Sequence, residues 1–390
     1  MSCTIKDILV FFLPVVIFSY LVSSLIFYEK DATRIVGCVF LGVLLSIFMA
    51  LGYAYGVGRF FLQDFVTAHS PVAVHSSENV QTLWPFPFQS FSTDRAMLFS
   101  LLFAFWINAL QSSFLTRFRT SHYNKMDSAS VPGNMLKGLF SLGLFAHPSH
   151  LAALKQSISK MKDVSEKALL ALFIPIIPLY VFGFILKISK ESLPGAFLKE
   201  FSHVFMLSFV AFIPFIMLAY FVAARFKGRT AGTFFKNMLP PIVTAFSTMS
   251  SVATLPLTLQ AVEKNIPKSE SFTRLVIPAT VNVHAIGDII NIALSGLALS
   301  LMFGLGFPSF QAYALFAFYT AIAQFSCVSI PGGGIIVMTG ILQKYLGLNA
   351  EAVSLLTSIY FLMEPFLTAA NVTYTCPFVI LLKRVLRIRS

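Results

Sequence analysis

Residues 352–382 read AVSLLTSIYFLMEPFLTAANVTYTCPFVILL, an apolar stretch long enough to cross a bilayer that carries one charge, Glu364. Glu364, Thr368, Asn371 and Thr375 follow one another at spacings of four, three and four, which puts all four on one face of a helix. A carboxylate at bilayer depth costs at least about 2–3 kcal/mol unless it is protonated, paired or ligand-bound. A membrane helix displaying this stripe is expected to bind something along it.

The rest of the chain fits a membrane setting. Of its 390 residues, 57% are hydrophobic and 11% charged, with a mean hydropathy of +0.80, where a soluble domain carries about a quarter charged residues. The composition is that of an all-α polytopic membrane protein. The net charge of +12 does not point to nucleic acid. The basic residues cluster between apolar runs, as in Arg117/Arg119/Lys125, Arg225/Lys227/Arg229/Lys236 and Lys383/Arg384/Arg387/Arg389, which is the positive-inside signature of cytoplasmic loops. Cys3, Cys38, Cys327 and Cys376 are scattered without a C-x-x-C, so they read as small apolar residues and neither a disulfide framework nor a metal site.

Spanning stretches are expected at 8–28, 36–62, 96–116, 166–187, 202–224, 275–304 and 351–382, about seven to eight transmembrane helices in all. The stretch from Phe60 to Asp94 carries no Lys or Arg and is expected outside, whereas the basic clusters and the C-terminus are expected on the cytoplasmic side. Residues 117–165 read as a polar cytoplasmic connection with an amphipathic piece near 150–163.

Two segments do not read as ordinary spans. Residues 239–262 hold Ser247, Thr248, Ser250, Ser251 and Thr254 among Pro240, Pro241 and Pro256. Residues 311–346 centre on Ser329-Ile-Pro331-Gly332-Gly333-Gly334, which cannot be a comfortable helix interior. Both read as re-entrant helical hairpins, since irregular backbone at membrane depth is tolerated only against protein or a cavity.

Two hairpins, each followed by a polar-striped helix, resemble the dicarboxylate/amino acid:cation symporter family with its glutamate transporter fold. That family carries a serine-rich hairpin tip before T-L-P, matched by Ser250-Ser-Val-Ala-Thr254-Leu-Pro256. Its next helix bears a proline and N-M-D-G-T, where this chain has Ile277-Pro278 and then His284-Ala-Ile-Gly287-Asp288. Its second tip, P-G-A-G, is matched by Pro331-Gly-Gly-Gly334. Its last helix holds D-x-x-R-T-x-x-N-V-x-x-D, matched by Glu364, Leu367-Thr368 and Asn371-Val372, ending on Thr375. Trp84-Pro-Phe-Pro-Phe88 looks like the family's entry to its fourth helix.

The resemblance implies a division into scaffold and oligomerisation helices over 1–235 and a transport core over 236–390, with 36–62 and 202–235 also able to pack with the core. It implies substrate contacts from Ser250, Ser251, Thr254, Asp288, Pro331, Gly332, Gly333, Glu364, Thr368 and Asn371, with Glu364 taking an amino group and the hairpin tips a carboxylate. It implies cation or proton coupling through His284, Gly287, Asn371 and Thr375. It further implies a homotrimer in a bilayer, of the kind found in a bacterial inner or plasma membrane, that moves a small-molecule substrate. No cofactor is expected beyond Na+ or H+ as coupling ion.

Departures from the family's pattern refine this. Leu367 stands where the family's arginine grips an acidic side chain, so a neutral amino acid is favoured over glutamate or aspartate. Thr375 stands where a sodium-ligating aspartate is expected. With His284, Asp288 and Glu364 as titratable groups in apolar sequence, proton coupling stands beside sodium. The alternatives are a sodium-dependent dicarboxylate or glutamate symporter of the usual kind, and a channel-like or non-transporting relative. An intramembrane enzyme is disfavoured, because Gly287-Asp288 has no second helix aspartate and no G-x-S-x-G or H-E-x-x-H occurs. The bland readings are Glu364 paired inside the bundle, Asp288 as a helix cap and His284 as a core histidine.

Overall fold

A computed structural model describes residues 18, 33–67, 99–100, 102–103, 148–168, 194–281, 283–327 and 332–387. Among the described residues every regular element is helical. In chain order these are α1 (Thr33–Thr67), α2 (Pro148–Ala168), α3 (Pro194–Ala223), α4 (Gly228–Thr248), α5 (Leu255–Asn265), α6 (Glu270–Thr280), α7 (Ile286–Met302), α8 (Phe310–Ala323), a 3-10 turn (Gln324–Ser326), α9 (Gly333–Leu346) and α10 (Ala350–Val385). Apart from a few positions, the expected spans 8–28, 96–116 and 166–187, the Trp84–Phe88 motif and most of the 117–165 connection lie outside the described residues.

Three described helices are long and apolar enough to cross a membrane: Gly37–Leu62 within α1, Val204–Ala223 within α3, and α10. They coincide with the expected spans 36–62, 202–224 and 351–382. Leu41, Leu45, Phe60 and Phe61 of α1 and Met206, Val210 and Ile213 of α3 are exposed, as lipid-facing side chains are. The protein is an all-α polytopic membrane protein.

Both segments expected to be hairpins form helix pairs. In the first, α4 ends on Met249 in the left-handed region (φ 50°), whose N–H returns to Ala245 O, and Pro256 sits in the opening turn of α5, where its missing N–H costs nothing. In the second, Ser309 caps α8 by accepting from Ala312 N–H at 3.2 Å, and α9 opens after Gly332 at φ 77°. The tip residues 328–331 lie outside the described residues.

One expectation is corrected. The helix expected over 275–304 is two helices, α6 ending at Thr280 and α7 beginning at Ile286. The N–H groups of Val283 and His284 both turn back onto Thr280 O (3.0 and 2.9 Å), which closes α6. Ala285 at the head of α7 has no side chain to cap it. The missing cap comes from another helix, as described below.

The core lies around α7. Nearly all its residues are buried, and it is apolar all round except for Asp288, Asn291, Ser295 and Ser300, the pattern of a central helix. It packs on α1, α10, α3 and α9. Residues of α10 are largely buried too, against α4, α7 and α3. Pro377 interrupts α10 by leaving Thr373 O without its helical donor, and the hydroxyl of Tyr220 from α3 donates to that oxygen at 2.9 Å.

Candidate functional site

The head of α7, the middle of α10 and the start of α9 converge on one buried polar group. Asn371 of α10 accepts the backbone N–H of Gly287 through Oδ1 at 2.8 Å and donates through Nδ2 to Asp288 Oδ1 at 3.0 Å. A side chain from α10 thereby satisfies a first-turn donor of α7 that α7 cannot satisfy itself. Gly287 is required for the approach: a Cβ there would lie 2.9 Å from both Ala370 Cβ and Leu367 O.

On the other side, the N–H of Gly332 donates to Glu364 Oε2 at 3.3 Å. Gly332 holds φ 77°, and a Cβ there would meet the Phe361 ring at 2.2 Å, so only glycine brings that N–H to the carboxylate. Tyr360 stands one helical turn before Glu364 on α10. A Cβ on Gly334 would be 2.7 Å from the Tyr360 hydroxyl and 3.3 Å from Asp288 Oδ2, so the start of α9 closes directly over the pair. Asp288, Glu364 and Tyr360 are 9%, 5% and 1% exposed. Among the described residues no Lys, Arg or His side chain pairs with either carboxyl.

Among the described residues the site thus has two acidic groups, the donor-rich opening of a half-helix and no basic side chain. It is suited to a ligand that brings positive charge to the carboxyls and an acceptor to the glycine backbone.

Of the residues singled out from sequence, Asp288, Gly287, Gly332, Glu364 and Asn371 are brought together here, and Gly333 is buried beside them in the first turn of α9. Thr368 is buried on α10 between Glu364 and Asn371. Thr375 is half-buried and its hydroxyl donates to Asn371 O at 3.2 Å, a bond within its own helix. Ser250, Ser251 and Thr254 form a separate local network at the first tip. There Ala253 N–H donates to Ser250 Oγ, Thr248 donates to Ser250 O and Thr254 donates to Ser251 O, and no hydrogen bond joins them to Glu364. Pro331 lies outside the described residues. His284 is elsewhere: its Nε2 lies 3.0 Å from Ser46 Oγ of α1, which in turn donates to the Tyr374 hydroxyl at 3.2 Å, and its ring packs on Phe378. Leu367 is fully buried.

Tyr360 is the residue that sequence reasoning missed. Its signal was available, since it lies four before Glu364 and prolongs the polar stripe by one turn. Ser46 had no such signal.

A family model described as the sodium:dicarboxylate symporter family matches residues 2–385. The chain belongs to that family. Among curated relatives, human excitatory amino acid transporter 2 is 29% identical over 158 residues, which are 40% of this chain and 27% of that protein. An excitatory amino acid transporter of Caenorhabditis elegans is 26% identical over 155 residues, 40% of this chain and 30% of that one. Neutral amino acid transporter A of Bos taurus is 26% identical over 155 residues, 40% of this chain and 28% of that protein. The aligned stretch thus spans less than a third of each of these relatives. As a member of the sodium:dicarboxylate symporter family, the chain has the glutamate-transporter-like helical architecture that its two hairpins and polar-striped α10 anticipate.

Proposed function

We propose that this protein is a secondary active transporter that carries a small amino acid or carboxylate solute across the membrane, coupled to sodium or protons. The observation that carries the reading is the contact of Glu364 with the Gly332 N–H at the opening of α9, in a buried site without a basic side chain among the described residues. A solute with an ammonium and a carboxylate supplies what each end lacks: a cation for Glu364 and Asp288, an anion for the half-helix opening. Thr368 and Asn371 line the same face of α10. Ser250, Ser251, Thr254 and Pro331 belong to the two tips and are assigned to the carboxylate end.

A neutral amino acid is favoured over glutamate or aspartate. Leu367 gives an acidic side chain no guanidinium, and a bidentate guanidinium is the strong way to hold a carboxylate. The second reading, a symporter of acidic amino acids, draws on the excitatory amino acid transporters among the relatives. The family description favours sodium as the coupling ion. Proton coupling rests on the buried titratable groups, with His284 facing Ser46 of α1 and Asn371, Gly287 and Thr375 along the α7–α10 contact. In this reading residues 236–390 form the transport core, 1–235 mainly scaffold, and the protein works as a homotrimer in a plasma membrane with its C-terminus cytoplasmic.

A thermal-shift screen of amino acids and dicarboxylates, with sodium and pH varied, tests it, because a ligand that binds the native state raises its melting point by mass action. Neutral amino acids are expected to stabilise the protein in sodium. Stabilisation by glutamate or aspartate alone would establish the second reading. In proteoliposomes, unlabelled solute inside is expected to accelerate uptake of labelled solute, which a channel does not do.

A further inference from the structure

We propose that the turn joining α3 to α4, together with the end of α10, is a docking surface for the headgroups of anionic phospholipids. It lies away from the solute site and does not depend on which solute that site holds. Arg384, at the surface, follows Glu364 by twenty residues of α10, about 30 Å of helix.

The spanning part of α3, Val204–Ala223, has an exposed apolar face. Met206, Val210, Ile213, Met217 and Phe221 lie on it at helical spacings of four, three, four and four. With lipid against that face, the stripe runs out directly into Arg225, Phe226 and Lys227, with Arg229 two residues on. All four are exposed, Phe226 by 71%. An aromatic ring among basic residues where a lipid-facing stripe ends has the composition of an interfacial anchor.

Hydrogen bonds fix this turn. Phe226 N–H donates to Phe221 O at 2.7 Å, Arg225 N–H to Val222 O at 3.1 Å and Lys227 N–H to Ala224 O at 3.1 Å. Arg225 and Phe226 both hold left-handed backbone, at φ 53° and 57°, a conformation that strains any residue with a side chain and that glycine adopts freely. The chain bears this strain with a phenylalanine left in the open, where the protein's own packing gains nothing from it. Strain of that kind persists where it serves a site.

The end of α10 is tied to the same turn. Arg384 donates to Val222 O at 3.2 Å and to Ala223 O at 2.7 Å, covering the last carbonyls of α3. Arg387, one turn on, is exposed. The local sequence supplies no counter-charge, since no Asp or Glu occurs in residues 201–262 or 365–390. The ion pair of Arg274 with Glu263 belongs to α5 and α6. A basic surface at the membrane boundary attracts anionic headgroups, and each Lys or Arg adds to the attraction. A soluble phosphate meets the same charges but leaves the Phe226 ring in water. Lipid held here bridges the ends of α3, α4 and α10 and so stabilises the folded protein.

Titration of phosphatidylglycerol or phosphatidylcholine into the whole detergent-purified protein at low salt, read by melting temperature, tests this. Phosphatidylglycerol should raise the melting temperature saturably, while phosphatidylcholine and inorganic phosphate should not, and added salt should weaken the effect. Each basic residue removed should lower the apparent affinity about fivefold, so that Arg225→Gln, Lys227→Gln and Arg229→Gln together lower it on the order of a hundredfold. Lys160→Gln, Lys264→Gln and Lys268→Gln together remove as much charge from α2, α5 and the loop after α5, and should change it little. Arg229→Gln alone carries the comparison should the first triple variant not fold. The added fluorescence of Phe226→Trp should be quenched more by brominated phosphatidylglycerol than by brominated phosphatidylcholine. Equal stabilisation or equal quenching by the two lipids overturns the proposal, as do equal losses in the two triple variants. A shift reproduced by inorganic phosphate would assign the surface to a soluble anion and overturn the lipid.

Discussion

Asn371 Oδ1 accepts the backbone N–H of Gly287 at 2.8 Å, so the cap of α7 is supplied by α10. The same amide donates to Asp288 Oδ1, and one side chain therefore fixes both the start of a buried helix and the position of an acid. Asn371→Ala leaves a buried donor and a buried carboxyl short of partners, at a cost of about 2–4 kcal/mol. The melting temperature of the detergent-solubilised variant should fall well below wild type, with solute stabilisation lost. An unchanged melting temperature would mean that the amide does not cap α7.

Gly287→Ala should be destabilising because the added carbon would press on Leu367 O and Ala370 Cβ, both at 2.9 Å, and a backbone atom cannot rotate away. Parting α7 from α10 costs about 1–3 kcal/mol. Gly52→Ala is the matched comparison, since a Cβ there meets nothing within 4 Å on the exposed side of α1. It should be neutral or stabilising by up to about 1 kcal/mol, the helix-propensity gain. Equal melting temperatures for the two variants would refute the close approach.

How much of this was legible in the chain depends on how local each cause is. α10 was legible end to end: its apolar length, its lone acid and its stripe are all contiguous, and Asn349 caps it by accepting from Ala352 N–H at 2.8 Å. The hairpins were legible because proline and glycine clusters act through their own backbone. The break between α6 and α7 was not, and the side chain that meets the first turn of α7 after it, Asn371, is far away in sequence. His284 was singled out for coupling from its place in the motif ahead of Gly287-Asp288, and what it faces could not be read there: it precedes α7 and turns to Ser46 of α1. Tyr360 went unread because a tyrosine in an apolar helix has several ordinary uses, and its role exists only where Asp288 and Gly334 arrive from other elements.

Glu364→Gln should weaken amine binding while keeping most of the fold, since the glutamine oxygen can still accept from Gly332 N–H. Hydrogen bonds to a charged partner contribute about 1.5–3 kcal/mol, so affinity for an amino acid should fall by roughly 10–100-fold. Titration of the thermal shift against solute concentration reads this directly. Retention of wild-type affinity would remove Glu364 from the binding site.

Ser46 serves two partners at once, His284 Nε2 at 3.0 Å and the Tyr374 hydroxyl at 3.2 Å, and so ties α1 to the turn before α7 and to α10. Ser46→Ala strands both buried groups and should cost about 1–3 kcal/mol. Ser46→Thr keeps the hydroxyl and should recover much of the loss, which a purely steric role for Ser46 would not allow. Melting temperatures of the two variants separate these outcomes.

The pairing of Tyr220 with Thr373 O makes a prediction about two substitutions together. Thr373 O lacks a helical donor because residue 377 is proline, and Tyr220 supplies one at 2.9 Å. Tyr220→Phe alone should cost about 1 kcal/mol or somewhat more, the usual worth of a buried hydrogen bond. Pro377→Ala restores an N–H in register with Thr373 O, so the hydroxyl becomes redundant there. In the Pro377→Ala background Tyr220→Phe should therefore cost less, with a coupling of about 0.5–1 kcal/mol in a double-mutant cycle. The four melting curves give that coupling directly, and strict additivity would mean that Tyr220 does not stand in for the donor that Pro377 lacks.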